Sequence, residues 1–123
     1  MDARSAIELD SSMAWELSEK ELYTLLDSEI VDSPLGQLSN QIKKVNFKGI
    51  NDTAIVKSKF DKAWDEIKDI ACQVYASDEK LEGKDLVVII VTAVTTALGF
   101  AALWIILTVT IAVKLSLNRL CQR

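Results

Sequence analysis

The chain contains no histidine. That removes the usual general base of Cys–His and Ser–His–Asp sites and the commonest side-chain ligand for zinc. Glycine is scarce. The four residues, at positions 36, 49, 83 and 99, are isolated, so no glycine-rich loop can cradle a phosphate. Proline occurs once, as Pro34, and two cysteines are too few for a disulfide framework. The first 85 residues also lack a basic excess: eleven Lys and Arg stand against eighteen Asp and Glu, a net of −7. Nucleic-acid binders need a basic footprint, so no nucleic-acid partner is expected. Carboxylate pairs such as Asp65 and Asp69 share a helix face, with nothing apolar beside them to raise a pKa for acid–base work. The reading is therefore not an enzyme, with no catalytic residue, no cofactor and no metal.

The most telling absence is charge between Leu86 and Val113. These 28 residues carry no ionisable side chain. A bilayer core of about 30 Å needs roughly 20 helical residues. As one helix the run reaches about 42 Å, enough to span with slack for tilt. It predicts a single transmembrane helix over 86–113. It lies at the wrong end for a signal peptide and is too long for one, and the N-terminus shows no export pattern either. Only Lys114, Arg119 and Arg123 follow the run, giving a short basic tail over 114–123 with a net of +3.

The region before the run reads as a small helical head over 1–76. Residues 1–12 are polar and uncapped, which predicts a frayed start. Ser18-Glu19-Lys20-Glu21 has the capping-box form, with Leu17 and Leu22 in the staple positions around it. Leu22, Leu25, Leu26 and Ile30 follow at helical spacing, so a helix is expected over 18–31. Ser33 and Pro34 suit the N-cap and first position of a second helix, over 34–45, carrying Leu35, Leu38, Ile42 and Val45. Asn46 to Asp52 contains Gly49 and reads as a turn. A third helix over 53–76 carries the stripe Val56, Phe60, Ala63, Trp64, Ile67, Ile70, Ala71, Val74. Residues 77–85 are charged, hold Gly83, and read as a hinge. The expected fold is all-α: a three-helix head, marginal by itself at this size, followed by one membrane helix.

Two sets of residues are candidates for association. In the membrane run, Ala93, Ala97 and Ala101 fall at i, i+4 and i+8, while Thr92, Thr96 and Gly99 belong to a second strip that also includes Thr95 and Ala102. Small residues let helices approach closely in lipid, and threonine hydroxyls can bond across or back. On the head, Trp15, Leu22, Tyr23 and Leu26 are the contact candidates. The partners implied are the lipid bilayer, and this chain itself or another membrane protein.

Lys and Arg near the run number three on each side, so charge does not decide orientation. Without an export signal the head is expected in the cytosol, with the short tail crossing. That arrangement puts Cys72 and Cys121 on opposite sides of the bilayer, unable to pair within one chain. Cys121 would then be a free thiol, or open to palmitoylation. The functional expectation is a single-pass, tail-anchored membrane protein acting as a non-enzymatic interaction or assembly subunit. The alternative is an oligomeric, holin-like or toxin-like permeabilising effector.

Overall fold

In the computed structural model, residues 3–27, 35–36, 38–44, 53–77 and 82–121 are described. Every regular element among them is an α-helix, so the all-α class holds. The elements are α1 (Ala3–Trp15), α2 (Glu19–Asp27), α3 (Leu38–Lys44), α4 (Thr53–Ser77), α5 (Gly83–Leu98), α6 (Leu103–Leu115) and α7 (Leu117–Leu120).

The first helix departs from the frayed start expected for residues 1–12. Ala6, Ile7, Asp10, Ser11 and Ala14 recur at helical spacing and are all buried. This face is small and partly polar, so its hydrophobic signal in the sequence is weak. Asp10 acts across the chain. Its carboxylate accepts the backbone N–H of Gly36 and is also bonded by the N–H of Leu38, the first residue of α3. That helix begins later than Pro34. Leu35 and Gly36 form a turn, with Gly36 at φ +89°, a left-handed conformation in which glycine carries no Cβ penalty. The expected end of the preceding helix at residue 31, Ser33 and Pro34, Val45 and the turn at 46–52 lie outside the described residues.

The start of α2 has both capping-box hydrogen bonds. The Glu21 N–H donates to the Ser18 hydroxyl oxygen at 3.2 Å, and the Ser18 N–H donates to the Glu21 carboxylate at 3.0 Å. Two otherwise orphaned donors are thereby satisfied. Leu22, Leu25 and Leu26 then turn inward. In α4, Phe60, Trp64, Ile67 and Ala71 form the buried stripe, while Asp61, Lys62, Asp65, Glu66, Lys68 and Asp69 face water.

Residues 86–113 correct the sequence reading most sharply: they do not form one helix. The first helical segment stops at Leu98. Gly99 takes the left-handed C-cap position at φ +80°, and its N–H donates to the Thr95 carbonyl. Ala102 is extended, and α6 starts at Leu103. α5 and α6 pack against each other as an antiparallel hairpin. At 16 and 13 residues they are about 24 Å and 20 Å long. Among the described residues, no helix is long and apolar enough to cross a membrane.

The break has a packing reason. An unbroken helix of 28 apolar residues outside lipid would leave much of its surface wet. Folded back at Gly99, α6 lies in the centre of the bundle, with Leu103 and every residue from Ile105 to Ala112 buried. Helices α1, α2, α4 and α5 all pack against it. A helix apolar on every side needs such enclosure or a membrane. Among the described residues the hairpin supplies more than half of the buried apolar side chains, so it is the core of the head rather than an appendage to it.

The cysteine expectation is also overturned. Cys72, near the end of α4, and Cys121, just beyond α7, are joined by a disulfide. Neither is a free thiol. The hairpin causes this: α6 returns the chain to the end of the bundle from which α5 departed, where α4 ends.

Candidate functional site

The candidate site is the outward face of α5, together with the contacts that hold the hairpin in the bundle. Leu86, Val87, Ile90, Val91 and Val94 point inward. The opposite side exposes Ile89, Thr92, Thr96 and Ala97, continued by Gly99, Phe100 and Ala101 in the connection to α6. From Leu86 onward this wet surface carries no charge. The contrast with α4 is direct, because between residues 61 and 69 its exposed residues are Asp61, Lys62, Asp65, Glu66, Lys68 and Asp69. Phe100 is 49% exposed and Ile89 37%. Phe100 leans on Trp104 with ring centroids 6.2 Å apart.

The threonines of this face make no outstanding polar demand through their protons. The Thr92 hydroxyl donates to the Val88 carbonyl at 2.8 Å, Thr96 to the Thr92 carbonyl at 2.8 Å, and Thr95 to the same oxygen at 3.0 Å. Such back-bonding makes threonine tolerable in an apolar setting. Beside the face, an open groove of about 540 Å³ lies between α1 and α5, lined by Arg4, Ile7, Val88, Ile89, Thr92 and Thr96 among others.

The sequence-derived association residues are partly split by the break. Ala93 and Ala97 stay one turn apart on α5, but Ala101 falls in the connection, so the Ala93–Ala97–Ala101 strip is not continuous. Thr92 and Thr96 share the exposed side. Gly99 serves as the helix cap that makes the hairpin. Of the head candidates, Leu22 and Leu26 are buried inside the bundle. Tyr23 is half-buried with its ring edge-on to Phe60, at 6.0 Å between centroids. Burial, then the nearby Glu19 and Asp61 carboxylates, push its hydroxyl pKa up.

Trp15 has a specific place at the open end of the hairpin. The Lys114 ammonium sits 4.8 Å from the centre of the Trp15 ring and donates to the Leu17 carbonyl at 2.9 Å. On its other flank, the indole lies so close to Gly83 that a Cβ there would sit 3.4 Å from the ring. One indole therefore contacts both the first residue of α5 and a residue in the last turn of α6. Sequence reasoning missed this clasp, since no local pattern links positions 15, 83 and 114.

Asp10 was missed as well. Its buried carboxyl has its pKa raised by desolvation, against the lowering effect of the Gly36 and Leu38 N–H groups. Its second oxygen has no hydrogen-bond partner among the described residues, and the buried hydroxyls of Ser11 and Thr108 likewise lack one. No group of three or more acidic or cysteine side chains among the described residues could hold a metal. Compared with known proteins, the chain matches no family model, no curated protein and no solved structure.

Proposed function

We propose that this chain is a non-enzymatic, membrane-acting interaction protein. Its apolar hairpin is stored in a helical head and is exchanged for contact with a lipid bilayer and with other membrane helices. The observation that carries this reading is the outward face of α5 beyond its charged first turn, uncharged from Leu86 onward. A helix face meant only for water gains solubility from charge, as that of α4 does. The face of α5 offers Ile89, Thr92, Thr96 and Ala97 instead, with the hydroxyl protons already used. Lipid or another helix is the environment such a surface suits. The expected lipid-phase partners are a second copy of this chain or another membrane protein, meeting α5 along Thr92, Ala93, Thr96 and Ala97. The acidic head then remains in the aqueous phase on the cytosolic side.

Flotation of the full-length chain with phosphatidylcholine vesicles, with and without phosphatidylglycerol, tests the proposal. Recovery of the protein with the floated lipid is expected, together with crosslinked species that Ala97→Glu abolishes. Recovery in the aqueous fractions with both kinds of vesicle would refute it.

One observation favours a second reading, an oligomeric permeabilising effector. Thr92 and Thr96 line one exposed side of α5, which carries no charge after Asp85, and a ring of such strips would border a polar passage. Release of an entrapped dye from the same vesicles, lost in the double variant Thr92→Val and Thr96→Val, is the outcome that selects it. Floated protein over intact vesicles selects the assembly reading.

A further inference from the structure

The disulfide has a topological consequence for the membrane reading. Cys72 and Cys121 are 49 positions apart, and the bond between them turns the chain from 72 to 121 into a covalent ring. All of the charge-free run, 86–113, lies inside that ring. A closed ring that enters a bilayer must cross it an even number of times. A single span places residues 72 and 121 on opposite faces, which is one crossing. The return path would then have to run through hydrocarbon as irregular chain with unsatisfied backbone groups, which lipid does not tolerate.

While the bond is intact, the run can meet a bilayer only as a hairpin with both ends on one side. The hairpin already exists, capped at Gly99. Its helices, at about 24 Å and 20 Å, fall short of the hydrocarbon thickness of about 30 Å. An oxidised chain therefore enters as a shallow re-entrant hairpin. Once the bond is reduced, the ring is open. Gly99 can adopt a right-handed helical conformation as readily as its present left-handed one, and an unbroken helix of about 42 Å over 86–113 becomes available.

We propose that the Cys72–Cys121 pair sets the membrane topology of this chain: a one-sided hairpin when oxidised, a single span when reduced. The chemistry is ordinary thiol–disulfide exchange with a dithiol. A dithiol thiolate attacks one sulfur, and the S–S bond breaks. The mixed disulfide is then resolved by the second thiol of the reductant. Two electrons and two protons pass to Cys72 and Cys121, and the dithiol leaves as its own disulfide. Both sulfurs belong to half-buried residues at the open end of the bundle, and Cys121 follows the four-residue α7.

The proposal rests on the bilayer contact argued above, and its test separates the two. The full-length chain is reconstituted into phosphatidylcholine vesicles in oxidised form, in form reduced with dithiothreitol, and as Cys121→Ser. Flotation reports lipid binding. Trypsin added outside the vesicles, followed by mass spectrometry of the protected fragments, reports topology. It cuts at head lysines such as Lys62 and Lys68, and in the tail at Arg119.

In the oxidised sample, each molecule is expected to lose both ends or neither. In the reduced and Cys121→Ser samples, protected fragments keep one end only, the head or the tail. Identical fragment patterns in all three samples would overturn the topology proposal while leaving lipid binding intact. Absence from the floated fraction in every sample would overturn the bilayer reading, and this inference with it. Should Cys121→Ser fail to fold, Cys72→Ser opens the same ring and is read in the same way.

Discussion

Gly99→Ala distinguishes the hairpin from a continuous helix by the sign of its effect. In the structure Gly99 sits at φ +80°, ψ 11°. An L-residue held there pays roughly 1–2 kcal/mol relative to glycine, because its Cβ crowds its own backbone. No second cost is added: a Cβ built at Gly99 meets nothing within 4 Å. The loss is therefore purely conformational, about 1–2 kcal/mol. If residues 86–113 were one helix, the same substitution would gain about 1 kcal/mol, since alanine is the best helix former and glycine among the worst. The two architectures thus differ by roughly 2–3 kcal/mol at a single methyl group.

The measurement is urea unfolding of the oxidised chain followed by far-ultraviolet circular dichroism. The expected result is a lower midpoint with an unchanged slope, which assigns the change to stability rather than to compactness. A Tm lower by roughly 4–8 °C should accompany it. Gly99→Asn should fall between the parent and the alanine variant, because asparagine tolerates the left-handed region better. If Gly99→Ala were as stable as the parent, or more stable, the hairpin would be wrong and the case for a stored core would go with it.

Three further outcomes follow from individual contacts. Burial raises the Asp10 pKa, so just above the ordinary aspartate value of about 3.9 the folded chain holds a proton that the unfolded chain has released. Stability from this group therefore falls as pH rises through that window and stays reduced above it. Asp10→Asn removes the titration, so its stability relative to the parent should rise between about pH 4 and neutrality; a flat or falling difference in urea titrations would contradict the assignment. Lys114→Met keeps an apolar stem but loses the hydrogen bond to Leu17 and the contact with Trp15, and should lower unfolding free energy by about 1 kcal/mol. In a background with Trp64 and Trp104 replaced by Phe, Trp15 fluorescence should shift with it, and an unchanged spectrum and midpoint would exclude the clasp. Reduction of Cys72–Cys121 reopens a loop of 49-residue separation, worth about 4 kcal/mol by loop entropy; equal urea midpoints with and without reductant would show that the bond does not constrain this fold.

Much of the head was legible because its signals are local. Ser18 and Glu21 sit three residues apart, the spacing the capping box requires, and both bonds are made. The stripe Phe60, Trp64, Ile67 and Ala71 is a large-residue helical repeat, and it turns inward in α4. Where the information is not local, the sequence misleads. The buried face of α1 is built from Ala6, Asp10, Ser11 and Ala14 besides Ile7, which no hydrophobic pattern picks out. Asp10 earns its place by reaching Gly36 and Leu38, 26 and 28 positions away. The stop at Gly99 had a local sign, a glycine after the last residue of an apolar helical repeat. The uncharged length of the run outweighed it. A central core helix and a membrane helix share one composition, since both must be apolar on all sides. The cysteine pairing failed for the same reason, because a hairpin reverses which ends of the run lie together.

In the proposed exchange between bundle and bilayer, the driving force is set by the apolar surface still wet in the bundle. Moving α6 from the bundle into lipid gains little hydrophobic free energy, because its side chains are already buried and lipid tails are no more apolar than their present neighbours. The gain resides in the wet face of α5, chiefly Ile89 and Phe100, each leaving a third to a half of its surface in water. At 1.5–3 kcal/mol for fully burying such a side chain, the two together supply about 2 kcal/mol. The loop-entropy contribution of the disulfide acts on the unfolded chain, so it does not oppose transfer of the oxidised hairpin as a unit. Release also uncovers the inner faces of α2 and α4, where Leu22, Leu25, Leu26 and Ile67 now pack. Each of these costs a comparable amount if left in water. A head that gives up its hairpin must therefore cover those leucines with another protein surface, a second copy or a partner. On the proposed reading, assembly would follow from membrane entry rather than stand as a separate function.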